Sequence, residues 1–332
     1  MNSESAFREA LEKLQKYDSW AVFCHESPDG DTLGSALALV SAGKRLGKAV
    51  TVYSKDPLPQ VYSFFPYAEE LRVINRLNPE EVKESLLITV DTSTEKRSLE
   101  NLPELAASAK DSLSIDHHGD NTRFAKTNLI DDTASATAEI ITRVIKELTG
   151  GITRTEAEAL YTALSTDNGS FRFSSTTPAS HLCAAALLEA GAEPAHIDDR
   201  INENLTEPIL KLWGKALAGL TVFASGRCAM LTISEEEIKE ADADSSSLDG
   251  LVNMLMRIKG VKCALFLTER ENCCKLSVRT RSGYSAREIA SEFGGGGHIN
   301  AAGAKISTDF KEAREKIKEV AENYVRKRNT CS

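Results

Sequence analysis

The stretch CHESPDGDTLGS, residues 24–35, decides how the first half of this chain folds. It follows the short apolar run WAVFCH (20–25) and leads into DTLGSALALVSAGKRLG (31–47), which has helical periodicity. An apolar run, a polar loop and a helix in this order are typical of the first unit of an α/β sheet. The loop places one imidazole and two carboxylates, those of His25, Asp29 and Asp31, between the predicted strand and the predicted helix.

The same alternation continues through the first half of the chain. The segments that carry it are the strand-like AVTVYS (49–54), SLLITVD (85–91) and SLSIDHH (112–118) and the helical ASATAEIITRVIKEL (134–148). Strands separated by helices predict an α/β fold with a doubly wound, mostly parallel sheet. Ligands bind beyond the carboxyl ends of such strands. His25, Asp91 and the Asp116–His118 cluster are all expected at that edge.

The second half divides into a connector and a smaller domain. The helical stretch up to Asp167 and the helix 180–191 complete a first domain, predicted over 1–190. Residues 191–220 are helical and amphipathic without a strand signal, which predicts a helical connector. From 221 to 332 hairpin, helix and strand signals predict a smaller α+β domain closed by a charged helix.

Composition indicates a soluble protein of the cytoplasm. The 332 residues favour two domains, with 41% hydrophobic and 27% charged residues, as in globular proteins. No apolar run approaches the roughly 20 residues that cross a bilayer, and the first residues lack the features of a signal peptide. The seven cysteines include no C-x-x-C pair, which favours reduced thiols.

The net charge of −9 restricts the expected substrates. Proteins that track long nucleic acids usually have a basic surface, because their affinity comes from neutralising many phosphates. This chain lacks that excess. We therefore expect short anionic substrates, with neither long nucleic acid nor membrane as a partner.

Acidic and histidine residues recur where predicted strands and helices end. Asp91 ends LLITVD, His117 and His118 follow Asp116, and Asp167 lies in STDNGS. Each has a structural alternative: these residues suit turns, and Asp29 and Asp31 suit a turn and a helix N-cap. Their coincidence, with three of the six histidines at predicted strand ends, instead indicates a divalent-metal phosphoester site. Carboxylates and imidazoles without thiolates favour two Mn²⁺ or Mg²⁺ ions over structural zinc.

The order of these motifs resembles that of the DHH phosphoesterase family. The matching segments are HESPDGDTLGS, VDTS, the DHH of 116–118, STDNGSFRF and, near the C-terminus, GGGGHINAAG (294–303), which resembles the signature of the DHH-associated domain. The resemblance covers nearly the whole chain, from about residue 18 to about residue 307. No motif residue departs from the family pattern, although the fourth motif varies modestly and leaves the role of Arg172 open.

The resemblance implies a role for each motif residue. One metal would be held by His25, Asp29 and Asp91, and the other by Asp31, Asp91, His117 and Asp167. Asp91 would bridge the two metals and is expected to be catalytic. Asp116 would orient an imidazole. His118 would face the scissile phosphate, as a hydrogen-bond donor or as the acid for the leaving oxygen.

The glycine run before His298 suggests an anion or nucleotide subsite. Glycines let backbone N–H groups approach an anion, although a flexible turn is the alternative. Arg279 on the neighbouring strand can grip phosphate, although a solvated strand face is the alternative. The resemblance favours substrate contacts through Arg279, His298, Gly296 and Gly297, with Ser277 and Arg281 as weaker candidates.

The resemblance also implies the function. We expect a metal-dependent phosphoesterase, of the bifunctional nanoRNase and 3′-phosphoadenosine 5′-phosphate phosphatase group, that degrades short oligoribonucleotides and dinucleotides by attack of a metal-activated hydroxide. Cyclic or linear dinucleotide phosphodiesterase activity is the alternative. An inorganic pyrophosphatase or a non-catalytic nucleotide-binding protein fits less well. The preferred substrate, the direction of attack, the native metal and the oligomeric state stay open.

Overall fold

A computed structural model describes residues 3–202, 205–243, 246–248, 250–297 and 299–329. The chain divides into two compact units, Met1–Asn204 and Leu205–Ser332. This division falls inside the predicted connector, 191–220. Two helices occupy that segment, and each buries apolar side chains in the core of its own unit.

The first unit is a six-stranded parallel sheet with helices. Its strands are Ser19–Phe23 (β1), Ala49–Ser54 (β2), Leu71–Val73 (β3), Leu86–Val90 (β4), Asp111–Asp116 (β5) and Thr127–Ile130 (β6). Its α-helices are Ser3–Lys16 (α1), Gly30–Arg45 (α2), Leu102–Ser108 (α3), Thr137–Thr149 (α4), Arg154–Asp167 (α5), Pro178–Glu189 (α6) and Pro194–Asn202 (α7). The strand order is β3-β2-β1-β4-β5-β6, and every neighbouring pair is parallel. The predicted α/β fold is confirmed.

The strand order reverses between β1 and β4, which are adjacent in the sheet. At such a switch point the connections leave toward opposite faces, so a crevice opens at the carboxyl ends of the two strands. Both strands are almost entirely buried. The sequence did not predict β3 and β6, because neither LRV nor TNLI forms an extended apolar run.

Two glycines let α2 pack unusually close to α5. A Cβ atom at Gly30 would lie 2.4 Å from Thr166 Oγ1, and one at Gly34 would lie 2.4 Å from the carbonyl oxygen of Ala159. No larger side chain fits without displacing the helices. The close approach brings the N-terminal end of α2 beside the C-terminal end of α5, where Asp167 lies.

The second unit is a mixed six-stranded sheet with helices. Its strands are Thr221–Phe223 (β7), Cys228–Ile233 (β8), Cys263–Arg270 (β9), Cys273–Thr280 (β10), Gly296–Gly297 (β11) and Ala301–Ile306 (β12). Its α-helices are Glu207–Ala218 (α8), Glu235–Glu240 (α9), Leu251–Leu255 (α10), Ala286–Ser291 (α11) and Phe310–Asn329 (α12). The strand order is β11-β12-β10-β9-β8-β7, and β8–β9 is its parallel pair. One apolar cluster joins β8, β9, β10 and β12 to α11 and α12, and a second joins β8 and β9 to α8, α9 and α10.

Two further observations concern the hydropathy of the helices and the state of the cysteines. None of the helices in the described part of the chain combines the length and the hydropathy of a bilayer-spanning segment. The six cysteines within the described ranges all have free thiols, and four of them are buried.

Candidate metal centre

The predicted ligand side chains converge at the carboxyl edge of the parallel sheet. His25 follows β1, Asp91 follows β4, and His117 follows β5. Asp29 and Asp31 come from the N-terminus of α2, where Asp29 is the N-cap, and Asp167 is the last residue of α5. The N-cap role that the sequence offered as the alternative for Asp31 belongs to Asp29, whose carboxylate accepts the backbone N–H groups of Asp31 and Thr32.

One group of potential ligands consists of His25, Asp29 and Asp91. His25 Nε2 lies 3.6 Å from Asp29 Oδ1 and 3.4 Å from Asp91 Oδ2. Backbone contacts fix the ring, because His25 Nδ1 donates to the Glu26 carbonyl oxygen at 2.7 Å. The Nε2 atom is therefore the ring nitrogen that faces the carboxylates.

A second group consists of Asp31, His117 and Asp167. His117 Nε2 lies 3.9 Å from Asp31 Oδ2 and 3.5 Å from Asp167 Oδ2. The same nitrogen lies 3.5 Å from Asp91 Oδ1. Asp91 thus presents one oxygen to each group. His117 Nδ1 is 3.2 Å from the carbonyl oxygen of Ala134, an outer contact like that of His25.

Asp116 organises the turn that carries the two adjacent histidines. Its Oδ1 accepts the backbone N–H groups of His117 and His118 at 2.8 and 3.2 Å, and it lies 2.7 Å from His118 Nδ1. Its Oδ2 accepts from the side chain of Asn121 at 2.6 Å. The ring that Asp116 orients is therefore that of His118. Burial acts to lower the pKa of His118, but the hydrogen bond to Asp116 and the charge of Asp91 outweigh it and raise the pKa to about 9.

The carboxylates repel one another in a largely buried site. Burial, then the negative charges of Asp91 and Asp167, raise the pKa of Asp31 well above its usual range. Burial raises the pKa of Asp167 to about 7. The charge of His117 acts to lower this pKa, but its effect is smaller than that of burial. Buried anions of this kind are stable only when paired with cations. A donor set of carboxylate oxygens and imidazole Nε2 atoms fits hard or borderline divalent cations.

Several contributors to the site were not predicted from the sequence. Thr137, at the start of α4, contacts Asp31 and Asp91, and Asn121 holds Asp116. Asp91 has φ of +54°, a left-handed conformation that is uncommon outside glycine. Of these features only Asn121 had a sequence signal, since it lies in the turn after the DHH segment. The close packing of α2 and α5 had one in the Gly30-x-x-x-Gly34 spacing.

The predicted substrate residues belong to the second unit. Arg279 is on β10, where it pairs with Ala301 of β12, and Gly296 and Gly297 form β11 on the other side of β12. Both glycines are exposed, and Gly297 has φ of +135°. His298 lies outside the described residues.

The two weaker candidates differ in their surroundings. Ser277 pairs with Gly303 in the same row of the sheet as Gly296. Arg281 donates to the carbonyl oxygens of Val261 and Met256, so its guanidinium group holds the loop before β9.

Fold and site together define a doubly wound α/β protein with a cluster of carboxylate and imidazole side chains at its switch point, a donor set that could hold metal ions. The model of the DHH family N-terminal domain matches residues 19–164, and that of the DHHA1 domain matches residues 226–327. The chain belongs to the DHH family, which confirms the resemblance.

Relatives support this assignment along the whole chain. The bifunctional oligoribonuclease and PAP phosphatase NrnA of Thermus thermophilus is 33% identical over 297 residues, which cover 89% of this chain and 86% of that protein. The protein of the same name from Mycoplasma genitalium is 27% identical and covers 98% of each chain. The crystal structure of an exopolyphosphatase-related protein from Bacteroides fragilis superposes with a TM-score of 0.92 at 26% identity, over 98% of each chain.

Proposed function

We propose that this protein is a metal-dependent phosphoesterase that hydrolyses short oligoribonucleotides and dinucleotides to mononucleotides, and 3′-phosphoadenosine 5′-phosphate to AMP. The observation that carries the proposal is the meeting of two ligand groups at Asp91, at the edge of the sheet where α/β proteins bind ligands. The substrate assignment is supported by the name of the Thermus thermophilus relative, which is similar over most of its length.

The metal centre would hold two divalent ions, Mn²⁺ or Mg²⁺. His25, Asp29 and Asp91 would hold one ion, and Asp31, Asp91, His117 and Asp167 the other. When bound, such ions neutralise the charge of a phosphoryl group and lower the pKa of bound water. The protein contributes ligands whose orientation is fixed in advance, because Glu26 and Ala134 hold the two imidazole rings from behind.

His118 would supply the proton for the leaving oxygen. The hydrogen bond between Asp116 and Nδ1 favours the protonated form of its imidazole. Asp116 holds Nδ1 at 2.7 Å, so Nε2 is the nitrogen turned away from that carboxylate. As water adds to phosphorus and the ester P–O bond breaks, the Nε2–H group would donate to the departing oxygen. This is general acid catalysis, which contributes about 10²–10⁴-fold to a rate.

The second unit would select the nucleotide by its end distal to the cleaved bond. We assign substrate contacts to Arg279, Gly296, Gly297 and His298. A guanidinium group and exposed glycines, which allow close approach to the backbone, are suited to a phosphate or a ribose phosphate. The net charge of −9 agrees with short substrates and with no role for long nucleic acid or membrane. The free thiols agree with a cytoplasmic protein.

A substrate panel tests the proposal. The purified protein with Mn²⁺ would be given a linear dinucleotide, a cyclic dinucleotide, 3′-phosphoadenosine 5′-phosphate, pyrophosphate and a 24-nucleotide RNA. We expect fast release of mononucleotides from the linear dinucleotide and of phosphate from the bisphosphate. Rapid turnover of pyrophosphate with inert dinucleotides would overturn the proposal, and preference for the cyclic dinucleotide would establish the alternative activity.

A further inference from the structure

Thr137, the first residue of α4, contacts Asp91, which faces both ligand groups, and Asp31 of the second group. Its hydroxyl group donates to Asp91 Oδ1 at 3.1 Å, and its backbone N–H donates to Asp31 Oδ2 at 2.7 Å. The next N–H, that of Ala138, donates to Asp31 Oδ1 at 3.0 Å. Thr137 is completely buried, so none of these contacts competes with bulk water.

The start of α4 needs a carboxylate from elsewhere in the chain. The first N–H groups of a helix have no partner within the helix. Ala136, at the N-cap, has no side-chain oxygen and makes no capping bond. Asp31 of α2 takes that place, where the helix dipole also favours a negative charge. The backbone of α4 therefore fixes both oxygens of Asp31.

Asp91 needs support of a different kind. Its φ of +54° is unfavourable for a residue with a side chain. Its two oxygens also face different partners, His117 and His25. A hydrogen bond to Oδ1 limits rotation of the carboxylate group, so that each oxygen stays directed at its own ligand group.

We propose that Thr137 is a positioning residue of the metal centre. It fixes Asp31 through its backbone N–H and Asp91 through its hydroxyl group. Only the second contact depends on the side chain, so it can be removed by substitution while the cap of α4 remains. This assignment rests on the metal centre of the proposed function. Residues that hold metal ligands from outside typically contribute 10–100-fold to metal affinity or activity.

Three variants test the assignment. Thr137→Val removes the hydroxyl group with little change of volume, and Thr137→Ser keeps it. Thr142→Val is the matched control, because the Thr142 hydroxyl, buried on the same helix, donates to the Ala138 carbonyl oxygen at 2.7 Å. Mn²⁺ binding would be measured by titration calorimetry, and the metal-free melting temperature by circular dichroism. Thr137→Ala removes the same hydroxyl group with a smaller side chain, should the valine variant not fold.

We expect Thr137→Val to weaken Mn²⁺ binding by about 10-fold or more, while Thr137→Ser and Thr142→Val stay within about 3-fold of the original protein. At saturating Mn²⁺ the turnover number of Thr137→Val should be closer to that of the original protein than its Mn²⁺ affinity is. An unchanged Mn²⁺ affinity in folded Thr137→Val, or an equal loss in Thr137→Ser, would overturn the assignment alone. Absence of Mn²⁺ binding by the original protein would overturn the metal centre and this assignment with it.

Discussion

The proposed functional residues of the two units differ in how deeply most of them are buried. In the first unit Asp31 and Asp91 are 1% and 3% exposed, and helix termini, backbone carbonyls and neighbouring side chains hold the polar groups of the site. In the second unit Gly296 and Gly297 lie exposed at the edge of the sheet, and Arg279 lies two strands away.

This difference separates two physical tasks. Catalysis on a phosphoester requires ligands held rigidly before the substrate arrives, because each rearrangement would add to the barrier. Recognition of a nucleotide end needs accessible donors. Substitutions in the first unit are therefore expected to affect all substrates, whereas substitutions in the second unit are expected to affect some substrates more than others.

The largest effect is expected from Asp91→Asn. The amide nitrogen replaces one of the two Asp91 oxygens, each of which faces one ligand group, and the substitution removes the negative charge between the groups. Hydrolysis of the dinucleotide, of 3′-phosphoadenosine 5′-phosphate and of an aryl phosphodiester should all fall by more than about 100-fold, beyond what an outer contact contributes. Steady-state kinetics with Mn²⁺ on protein of checked secondary structure would measure this. Substantial residual activity on any substrate would show that Asp91 does not join the two groups.

The next largest effect is expected from the substitution of Arg279 in the second unit. Arg279→Ala should lower kcat/KM for the dinucleotide by about 10- to 100-fold, the value of a lost charge-assisted hydrogen bond. The kcat/KM for an aryl phosphodiester should change by less than about 3-fold, because this substrate has no distal nucleotide with which Arg279 could form a hydrogen bond.

Arg326→Ala is the control for Arg279→Ala. Arg326 is an exposed cation on α12 that pairs with Glu322, so its loss changes the net charge equally. Parallel losses on the nucleotide and on the aryl substrate would exclude a distal-end subsite at Arg279.

A pair of helix glycines sharpens the comparison at the level of packing. Gly34→Ala would bring a methyl group within 2.8 Å of Ala163 Cβ, so it should cost about 1–3 kcal/mol and separate α2 from α5. Gly214→Ala in α8 meets nothing within 4 Å and should stabilise its helix by about 0.5–1 kcal/mol. Urea denaturation measures both changes, and weaker Mn²⁺ binding should accompany only the first. Equal stabilities would mean that the close helix contact is not required.

The smallest effect is a pH dependence of the metal-free protein. The folded state raises the pKa of Asp167 from 3.8 to about 7, so it binds this proton more tightly than the unfolded chain. The resulting stabilisation is complete below about pH 4 and is lost as the pH rises through 7. Between pH 5 and 8 the metal-free protein should therefore lose stability relative to Asp167→Asn. Thermal melting of both proteins across this pH range would measure the difference. The control Asp309→Asn, at an exposed helix cap in the second unit, keeps Asp167 and should lose stability over the same pH range as the original protein. Parallel curves for Asp167→Asn and the original protein would contradict the burial of this charge.

Much of the first unit was predictable because its signals are local. The strand AVTVYS matches β2 residue for residue, and the apolar runs ending at Asp91 and Asp116 mark β4 and β5. Strand and helix alternation then places their carboxyl ends at one edge. The second unit was predictable in outline, including the hairpin of β7 and β8. The two-residue strand β11 was not, because glycines carry no periodic pattern.

The amino-acid sequence determined which residue types reach the edge of the sheet, since turn, strand and helix signals act over a few neighbouring residues. The tertiary structure decided which atoms meet. Which imidazole Asp116 orients, which carboxylate caps α4 and why Gly30 and Gly34 are needed all depend on contacts between segments distant along the chain. Such contacts follow from close packing in three dimensions, and no local pattern encodes them.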